Sequence, residues 1–288
     1  MDIVIGADPF GPEDQGAVAE AHEHAWARFV PLLSELMDEW ALLRLPVQAG
    51  HPCPLQGGVA RRMWQACLPW AAQQFITPMA AVAGSVAQEL IRSYERAGVA
   101  RAWANNGGDI ALHLTPGQSA RVGLYADLAR LQAHEWMHGL SLDGAFDVTH
   151  TMAVRGVATS GWRGRSFSFG IADSVTVLAA TAAQADAAAS IIANAVNVEH
   201  VGIVRQSAQT LRDLTDLGDL AVTVDVPHLP VELVQQALQA GLQCARECQA
   251  EGWLSGAVLV CQGQSLILPM PSGTASVSFQ DEGLALAR

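Results

Sequence analysis

Residues 156 to 196 constrain the fold and the function of this chain more than any other stretch. They read GVATSGWRGRSFSFG and then IADSVTVLAATAAQADAAASIIANAV. The glycines, serines and arginines of the first half are typical of a binding loop. The second half predicts a short strand, Ser174 to Ala180, followed by an alanine-rich helix. Thr181 with Gln184 three residues later forms a capping box, which marks the start of that helix.

The predicted helix carries a carboxylate and a hydroxyl on one face. Asp186 and Ser190 are four residues apart, and side chains at this spacing project from the same side of a helix. Together with the polar loop and the strand before it, this pair predicts a site for a ligand and a cation.

Composition narrows the class of protein. A length of 288 residues allows one large domain or two small ones. No apolar run reaches 18 residues, so we expect no transmembrane span. The N-terminus lacks a basic region, so we expect no signal peptide. The net charge of -12 disfavours nucleic acid and anionic membranes as partners.

The ionisable residues exclude some chemistry. All 16 basic residues are arginine, so Schiff-base formation and a P-loop lysine are excluded. The odd number of cysteines fits reduced thiols and predicts a cytoplasmic protein. These cysteines lack paired metal-binding spacing: Cys53, Cys67, Cys244, Cys248 and Cys261.

Two earlier segments resemble binding elements. A helix is predicted from Thr77, with Pro78 at its first position, and its small side chains would let another backbone or a flat ligand approach. Close packing against a sheet explains them equally well. Further on, Gly107 and Gly108 predict a turn with positive φ, and Asn106 could cap it or bind a ligand.

The remaining pattern mixes helices and strands without βαβ alternation, which predicts a single α+β domain with a mixed or antiparallel sheet over residues 1–270 and a tail over 271–288. The other predicted elements are a strand over 2–10, a helix over 15–43 broken or kinked at Pro31, a strand over 99–103 before the glycine turn, a hairpin of 110–114 with 121–126, a long strand over 145–159, a strand over 220–226, a helix over 231–250 and a hairpin of 253–261 with 265–269.

Residues 134–138 spell HEWMH, a formal match to the zinc-hydrolase pattern H-E-x-x-H. A glycine follows at once and leaves little room for a helix. Asp143, Asp147 or His150 could supply a third ligand, but none stands at a signature spacing. Zinc hydrolysis is therefore the least favoured of the functions that the sequence suggests.

Three blocks in order carry a resemblance to a known family: ITPMAAVAGSVA at 76–87, NNGGDIAL at 105–112 and the stretch 156–196. Together they resemble the ApbE superfamily of FAD:protein FMN transferases, and most closely its shorter, functionally uncharacterised UPF branch. The blocks span about the middle 120 residues, and their order is more specific than any single block.

The resemblance implies an ApbE-like α+β fold, a flavin-sized cleft and an Mg²⁺ ion near the FAD diphosphate. By position, Asp186 and Ser190 would be the metal ligands, since serine keeps the hydroxyl of the family's threonine. The other residues implied in ligand binding are those of the glycine turn and of the TSG loop: Asn106, Gly107, Gly108, Thr159, Ser160 and Gly161.

The chain departs from the family in the loop. The GHS of the branch appears as Gly164, Arg165 and Ser166, so a permanent cation replaces an imidazole. Arg163 and Arg165 could grip a carboxylate or phosphate, although solvated loop arginines are the alternative. The histidine-bearing segment that follows TSG in the transferases has no counterpart.

Three functions remain open. The first is an ApbE-like protein that binds a flavin or another small anionic ligand. In its most specific form, this protein would transfer FMN from FAD to a protein acceptor. Asp109 and Asp173 are the candidate general bases, and Asp173 could equally be structural. The second is an enzyme acting on a small carboxylated heterocyclic metabolite without flavin. The third is a non-catalytic binding protein. The small-residue helices and hairpins would accommodate a homodimer.

Overall fold

The computed structural model describes residues 3–124, 144–271, 277–279 and 285–286. Within these ranges the chain forms seven α-helices: α1 (Gln15–Asp38), α2 (Trp40–Leu43), α3 (Gly58–Cys67), α4 (Val82–Ile91), α5 (Ala182–Ala195), α6 (Ala208–Leu211) and α7 (Val231–Ala250). Short 3₁₀ turns precede and follow α4, at Pro78–Ala81 and Arg92–Tyr94.

The described strands are β1 (Ile3–Pro9), β2 (Val99–Asn106), β3 (Asp109–Leu114), β4 (Ser119–Leu124), β5 (Gly144–Thr149), β6 (Gly156–Ser160), β7 (Ser174–Ala179), β8 (Val204–Ser207), β9 (Ala221–Asp225), β10 (Gly256–Cys261), β11 (Gln264–Leu268), β12 (Val277–Phe279) and β13 (Ala285–Leu286). The α+β class is confirmed.

The chain separates into two compact units. The first comprises Met1–Ala120, Thr149–Ala158 and Leu178–Ala187, and the second comprises Arg121–Val148, Thr159–Val177 and Ala188–Arg288. The boundary falls within β4, β5, β6, β7 and α5, so each of these elements contributes residues to both units.

In the first unit, β1, β2, β3 and β6 are neighbours in that order. β2 pairs antiparallel with both β1 and β3. Their inward faces are almost all alanine and valine, which lets α1 and α4 pack closely on the sheet. The buried cluster between them includes Val18, Ala21, Ala87, Tyr94 and Ala104.

In the second unit, β10 and β11 form an antiparallel hairpin, and α7 packs against both strands. The helix buries residues at spacings of three and four, as an amphipathic helix does: Val234, Ala237, Leu238, Gly241, Leu242, Ala245 and Cys248. β8 and β9 pair antiparallel in a separate sheet.

Some boundaries differ from the predictions. α1 continues through Pro31 and ends at Asp38 instead. Proline removes one N–H group, and Pro31 lies on the exposed side of the helix, where water can satisfy the carbonyl that loses its partner. α3 has no counterpart among the predicted elements, although its buried residues have helical spacing.

The predicted hairpin of residues 110–114 with 121–126 is also wrong, because β3 and β4 do not pair with each other. β3 pairs with β6 instead, through Ile110 and Val157, and β4 lies beside β5 in another sheet. The predicted long strand over 145–159 is two strands, because the chain turns between them. Arg155 holds the turn by donating hydrogen bonds to the carbonyls of His150, Met152 and Val154.

Two short strands lie in the segment that was predicted to be a C-terminal tail. β12 and β13 lie within the predicted tail, and β12 pairs with β5. The domain boundary at residue 270 and the cytoplasmic location stay predictions. None of the helices in the described ranges has the length and apolar character needed to cross a bilayer.

Candidate functional site

The glycine turn joins β2 to β3 as predicted. Gly107 and Gly108 have φ values of 71° and 114°, which residues with a side chain rarely adopt. The amide N–H of Gly108 donates to Oδ1 of Asn105 at 2.8 Å. The turn is therefore a fixed two-residue hairpin connection whose conformation requires glycine.

Asn106 attaches this turn to the start of α4. Its Nδ2 donates to the carbonyl oxygen of Ala83 at 3.1 Å, and the residue is buried. Asn106 is thus used in positioning the turn, and its predicted contact with a ligand stays a prediction. Asp109 begins β3 directly after the turn and is also buried.

Asp186 of α5 meets the same end of α4. Its Oδ2 accepts a hydrogen bond from the amide N–H of Gly84 at 2.8 Å. Burial raises the pKa of Asp186 well above its ordinary value, and the nearby charge of Asp109 raises it further, while hydrogen bonds from the amides of Gly84 and Ala83 oppose the shift.

Gly84 makes this contact possible. A Cβ atom at this position would collide with the carbonyl oxygen and carbon of Ala182 and lie 2.9 Å from Cβ of Asp186. Because the colliding atoms belong to backbone, they cannot rotate away. For the small residues of this helix, the sequence allowed either close packing or the approach of a ligand. At Gly84 the structure shows close packing.

The start of α5 at Thr181 is confirmed, although the Gln184 side chain bonds the Thr181 hydroxyl, whereas in a capping box it would bond the Thr181 backbone N–H. The amide of Gln184 donates to Oγ1 of Thr181 at 3.3 Å, as an N-capping threonine requires. The Thr181 hydroxyl in turn donates to Oε1 of Gln184 at 3.1 Å. This fixed start determines where Asp186 lies, one turn into the helix.

In the first unit, Asp109 lies near enough to Asp186 for its charge to raise the pKa of the Asp186 carboxyl. Such a pair lowers its energy either by keeping one proton or by binding a cation. Mg²⁺ in proteins is held by one or two carboxylates together with water and phosphate oxygens. The pair fits that donor set. The structure describes no group of three His, Cys, Asp or Glu residues that could hold a metal.

Ser190 is half-buried and follows Asp186 by one turn of α5. The spacing predicted from the sequence is therefore present on the helix. Its role as a metal ligand stays a prediction.

The TSG segment, residues 159–161, lies in the second unit. The residues of β6 that precede it belong to the first unit. The Thr159 and Thr176 hydroxyl groups are 2.9 Å apart, which ties the end of β6 to β7. A Cβ atom at Gly161 would collide with the carbonyl oxygen of Asp173. Ser160 is half-buried. Gly161 therefore has a structural reason to be glycine, and the ligand contacts of this segment stay predictions.

The two loop arginines have different surroundings. Nε of Arg163 lies 3.6 Å from Oδ1 of Asp173, and its guanidinium lies over the ring of Trp162 at 4.9 Å. Arg165 and Ser166 are exposed. Arg163 is thus held against protein groups, whereas the Arg165 side chain extends from the surface.

Asp173 is tied into the neighbouring hairpin. Its Oδ2 accepts a hydrogen bond from the backbone N–H of Gln262, a residue with a positive φ of 46° in the turn between β10 and β11. Gln262 also bonds to the backbone of Pro227 and Leu229. This arrangement favours the structural alternative for Asp173 over general-base chemistry.

The structure also shows a residue that sequence reasoning missed. Arg212 places its guanidinium over the ring of Phe167 at 4.9 Å and donates to the carbonyl oxygen of Arg165 at 3.2 Å. It therefore holds the arginine loop from a position 47 residues further along the chain. No local motif points to it.

The HEWMH segment at 134–138 lies outside the described residues. The zinc alternative accordingly stays a prediction. Of its suggested third ligands, Asp147 belongs to β5 in the second unit and His150 follows that strand.

Comparison with known proteins decides the family. Residues 1–267 match the protein family described as AbpE bacteria. The chain belongs to this ApbE-like family. The predicted resemblance is thereby confirmed, and it extends well beyond the three blocks from which it was inferred.

Two of the curated relatives carry the name UPF0280 protein. A UPF0280 protein of Methanosphaerula palustris is 39% identical over 122 residues, which cover 42% of this chain and 47% of that protein. A UPF0280 protein of Methanococcoides burtonii is 30% identical over 179 residues, covering 62% and 69%. The matched part therefore spans about half to two thirds of these relatives, whose names state no activity.

A solved ApbE protein from Thermotoga maritima aligns with 93% of this chain and 78% of its own, at 13% identity and a TM-score of 0.36. A likeness at this level supports no argument about the site.

Proposed function

We propose that this ApbE-like protein binds an anionic ligand together with a divalent cation, with Mg²⁺ and FAD as the first pair to test. The observation that carries the proposal is the carboxyl pair of Asp109 and Asp186 beside the amide of Gly84. Holding the buried Asp109 near the half-buried Asp186 is unfavourable in the free protein because like charges repel, and a bound cation offsets that cost.

The raised pKa of Asp186 gives the cation site a recognisable property. Protons and Mg²⁺ compete for the same carboxyl, so metal binding releases a proton and strengthens as the pH rises. A bound Mg²⁺ would neutralise charge on a diphosphate. The protein's own contribution is the Asp186 carboxyl, held by the amide of Gly84, with the buried Asp109 near it.

The loop arginines supply positive charge in an otherwise acidic chain. Arg163 and Arg165 can donate to phosphate or carboxylate oxygens. Arg165 is exposed, so it would become ordered when it meets an anion. We propose these two side chains as the anion-binding groups of the second unit, with Ser166 beside them.

The proposal is tested by titrating the protein with FAD, FMN and ADP, each with and without Mg²⁺, while following flavin fluorescence and heat. Binding of FAD that requires Mg²⁺ and is lost in Asp186→Asn supports it. FMN transfer is tested separately, by incubation with FAD, Mg²⁺ and hydroxyl-bearing peptides followed by mass spectrometry.

Other outcomes would redirect the account. Binding of a carboxylated heterocycle without any response to flavin or Mg²⁺ would support the small-molecule alternative. Failure of FAD, FMN and ADP to bind at millimolar concentration, with and without Mg²⁺, would refute the flavin assignment.

A further inference from the structure

The outer face of α1 is apolar and exposed. Four of its side chains keep more than half of their surface in water: Trp26 at 66%, Val30 at 61%, Leu33 at 62% and Met37 at 51%. A helix in a soluble domain normally turns charged residues outward. A contiguous exposed patch of large apolar side chains is therefore a sign of an interaction surface.

The four residues are spaced symmetrically along the helix. Trp26, Val30, Leu33 and Met37 follow one another at intervals of four, three and four residues. This is the alternation at which one helix presents a seam to another. Because the spacing is the same in both directions, an antiparallel copy of the helix places each apolar residue opposite another.

The face contains no charge that would oppose such a contact. The other exposed positions between Trp26 and Met37 are Ala27, Pro31 and Ser34. A second copy would therefore bury no unpaired charge and meet no like charge at the centre of the contact. The charged neighbours of α1 lie towards its ends or bond within the first unit, as Arg28 does with Glu89 and Glu35.

The size of the face suits a small dimer interface. Its four main side chains expose roughly 400 Å², given the 150–250 Å² that one aromatic side chain can bury. Interfaces at the small end of the stable range need about 600 Å² from each partner, so these four side chains supply most of that area and the surface that flanks them must supply the rest.

We propose that two copies of this chain associate through α1, packed antiparallel about a two-fold axis between residues 31 and 32. In this register Trp26 lies against the partner's Met37, and Val30 lies against the partner's Leu33. The pairing joins a large aromatic ring to a flexible thioether, a favourable contact, and one surface serves both partners as two-fold symmetry requires.

The charge of the chain gives the association a salt dependence. Each copy carries a formal charge of -12, so two copies repel one another at long range. Salt screens this repulsion and leaves the apolar contact intact. The dimer should therefore tighten as the salt concentration rises, whereas a contact made by ion pairs would loosen.

Sedimentation of the full chain from about 1 to 100 μM tests the proposal. We expect a dimer whose dissociation constant increases at least about tenfold in Leu33→Glu, because this change brings a carboxylate into the apolar seam. The matched control is Val201→Glu, which places the same charge on a residue that is 99% exposed in the second unit. It should leave the dimer intact.

A double variant tests the register. Val30→Arg and Leu33→Glu should each weaken the dimer alone. Combined, they place opposite charges across the two-fold axis and should restore much of the association. Circular dichroism should be unchanged throughout, because both positions are exposed.

Three outcomes would overturn the proposal. A monomer at 100 μM would show that the face serves a different protein or a segment of this chain outside the described residues. A dimer unaffected by Leu33→Glu would place the interface elsewhere. A double variant no better than the single ones would exclude this antiparallel register.

Discussion

The carboxyl cluster of the first unit and the arginine loop of the second differ in how firmly they are built. Asp186 is fixed by the amide of Gly84, and that contact depends on a position where even one methyl group would collide with backbone. Arg165, by contrast, is exposed, and its loop is held through its backbone by Arg212.

This difference suggests different roles in binding. A cluster that is already ordered loses little entropy when a cation arrives, and it imposes a fixed geometry. An exposed arginine must give up side-chain freedom before it can grip an anion. We therefore expect the carboxyl cluster to determine which cation is bound and the arginine loop to adapt to the shape of the anion.

The largest expected effect concerns Gly84. Gly84→Ala should lower the free energy of unfolding by about 3 kcal/mol, because overpacking against rigid backbone is costly. Urea denaturation measures the loss. Gly16→Ala is the control: nothing lies within 4 Å of a Cβ there, so this change in α1 should be neutral or slightly stabilising. Equal stability of the two variants would mean that α4 and α5 are not in close contact.

The next effect separates metal binding from folding. At an Mg²⁺ concentration about 100 times the dissociation constant, the wild-type protein should gain about 2.7 kcal/mol of stability. Asp186→Asn should lose this gain while remaining folded, because the asparagine oxygen can still accept the Gly84 hydrogen bond. Thermal unfolding with and without Mg²⁺ provides the measurement. An unchanged gain of stability from Mg²⁺ in the variant would show that the cation does not bind at Asp186.

The arginine loop should show a smaller effect that is confined to ligand binding. Arg165→Ala should weaken FAD binding in the presence of Mg²⁺ by about 2 kcal/mol, since it removes a charge-assisted hydrogen bond to phosphate. Arg246→Ala removes another exposed arginine of the second unit and should have no effect. If calorimetry gives the same affinity for both variants, Arg165 is a solvated surface residue.

The smallest effect is the pH dependence of stability without metal. A carboxyl whose folded pKa is raised favours the folded state only while it is protonated in both states. Stability is therefore lost as the pH rises from the ordinary value of about 4 through the raised pKa of Asp186. Asp186→Asn should be more stable than wild type at pH 8, and the difference should disappear as the pH falls to about 4. Parallel curves for the two proteins would contradict the raised pKa.

Local patterns in the sequence predicted those parts of the structure that depend on neighbouring residues. The glycine turn and the N-cap of α5 at Thr181 are examples, since backbone conformation and hydrogen bonds over three residues determine both. α7 was predicted with its observed bounds, Val231–Ala250, because its apolar residues repeat with helical periodicity.

Contacts across long separations could not be predicted in this way. Gly84 and Asp186 are 102 residues apart, and neither carries a local signal for the other. The contact of Arg212 with the arginine loop and the pairing of β3 with β6 were missed for the same reason. The pKa of Asp186 depends on burial and on Asp109, so it follows only from the folded structure.

The most direct test of the central claim, that Asp109 and Asp186 together hold a divalent cation, is a calorimetric Mg²⁺ titration at pH 6 and pH 8. The wild-type protein should bind Mg²⁺ at least about fivefold more tightly at pH 8, with proton release, because the cation displaces the proton of the pair. Asp186→Asn should abolish this binding, and Asp109→Asn should weaken it. Mg²⁺ binding that is independent of pH and unchanged in both variants would contradict the claim.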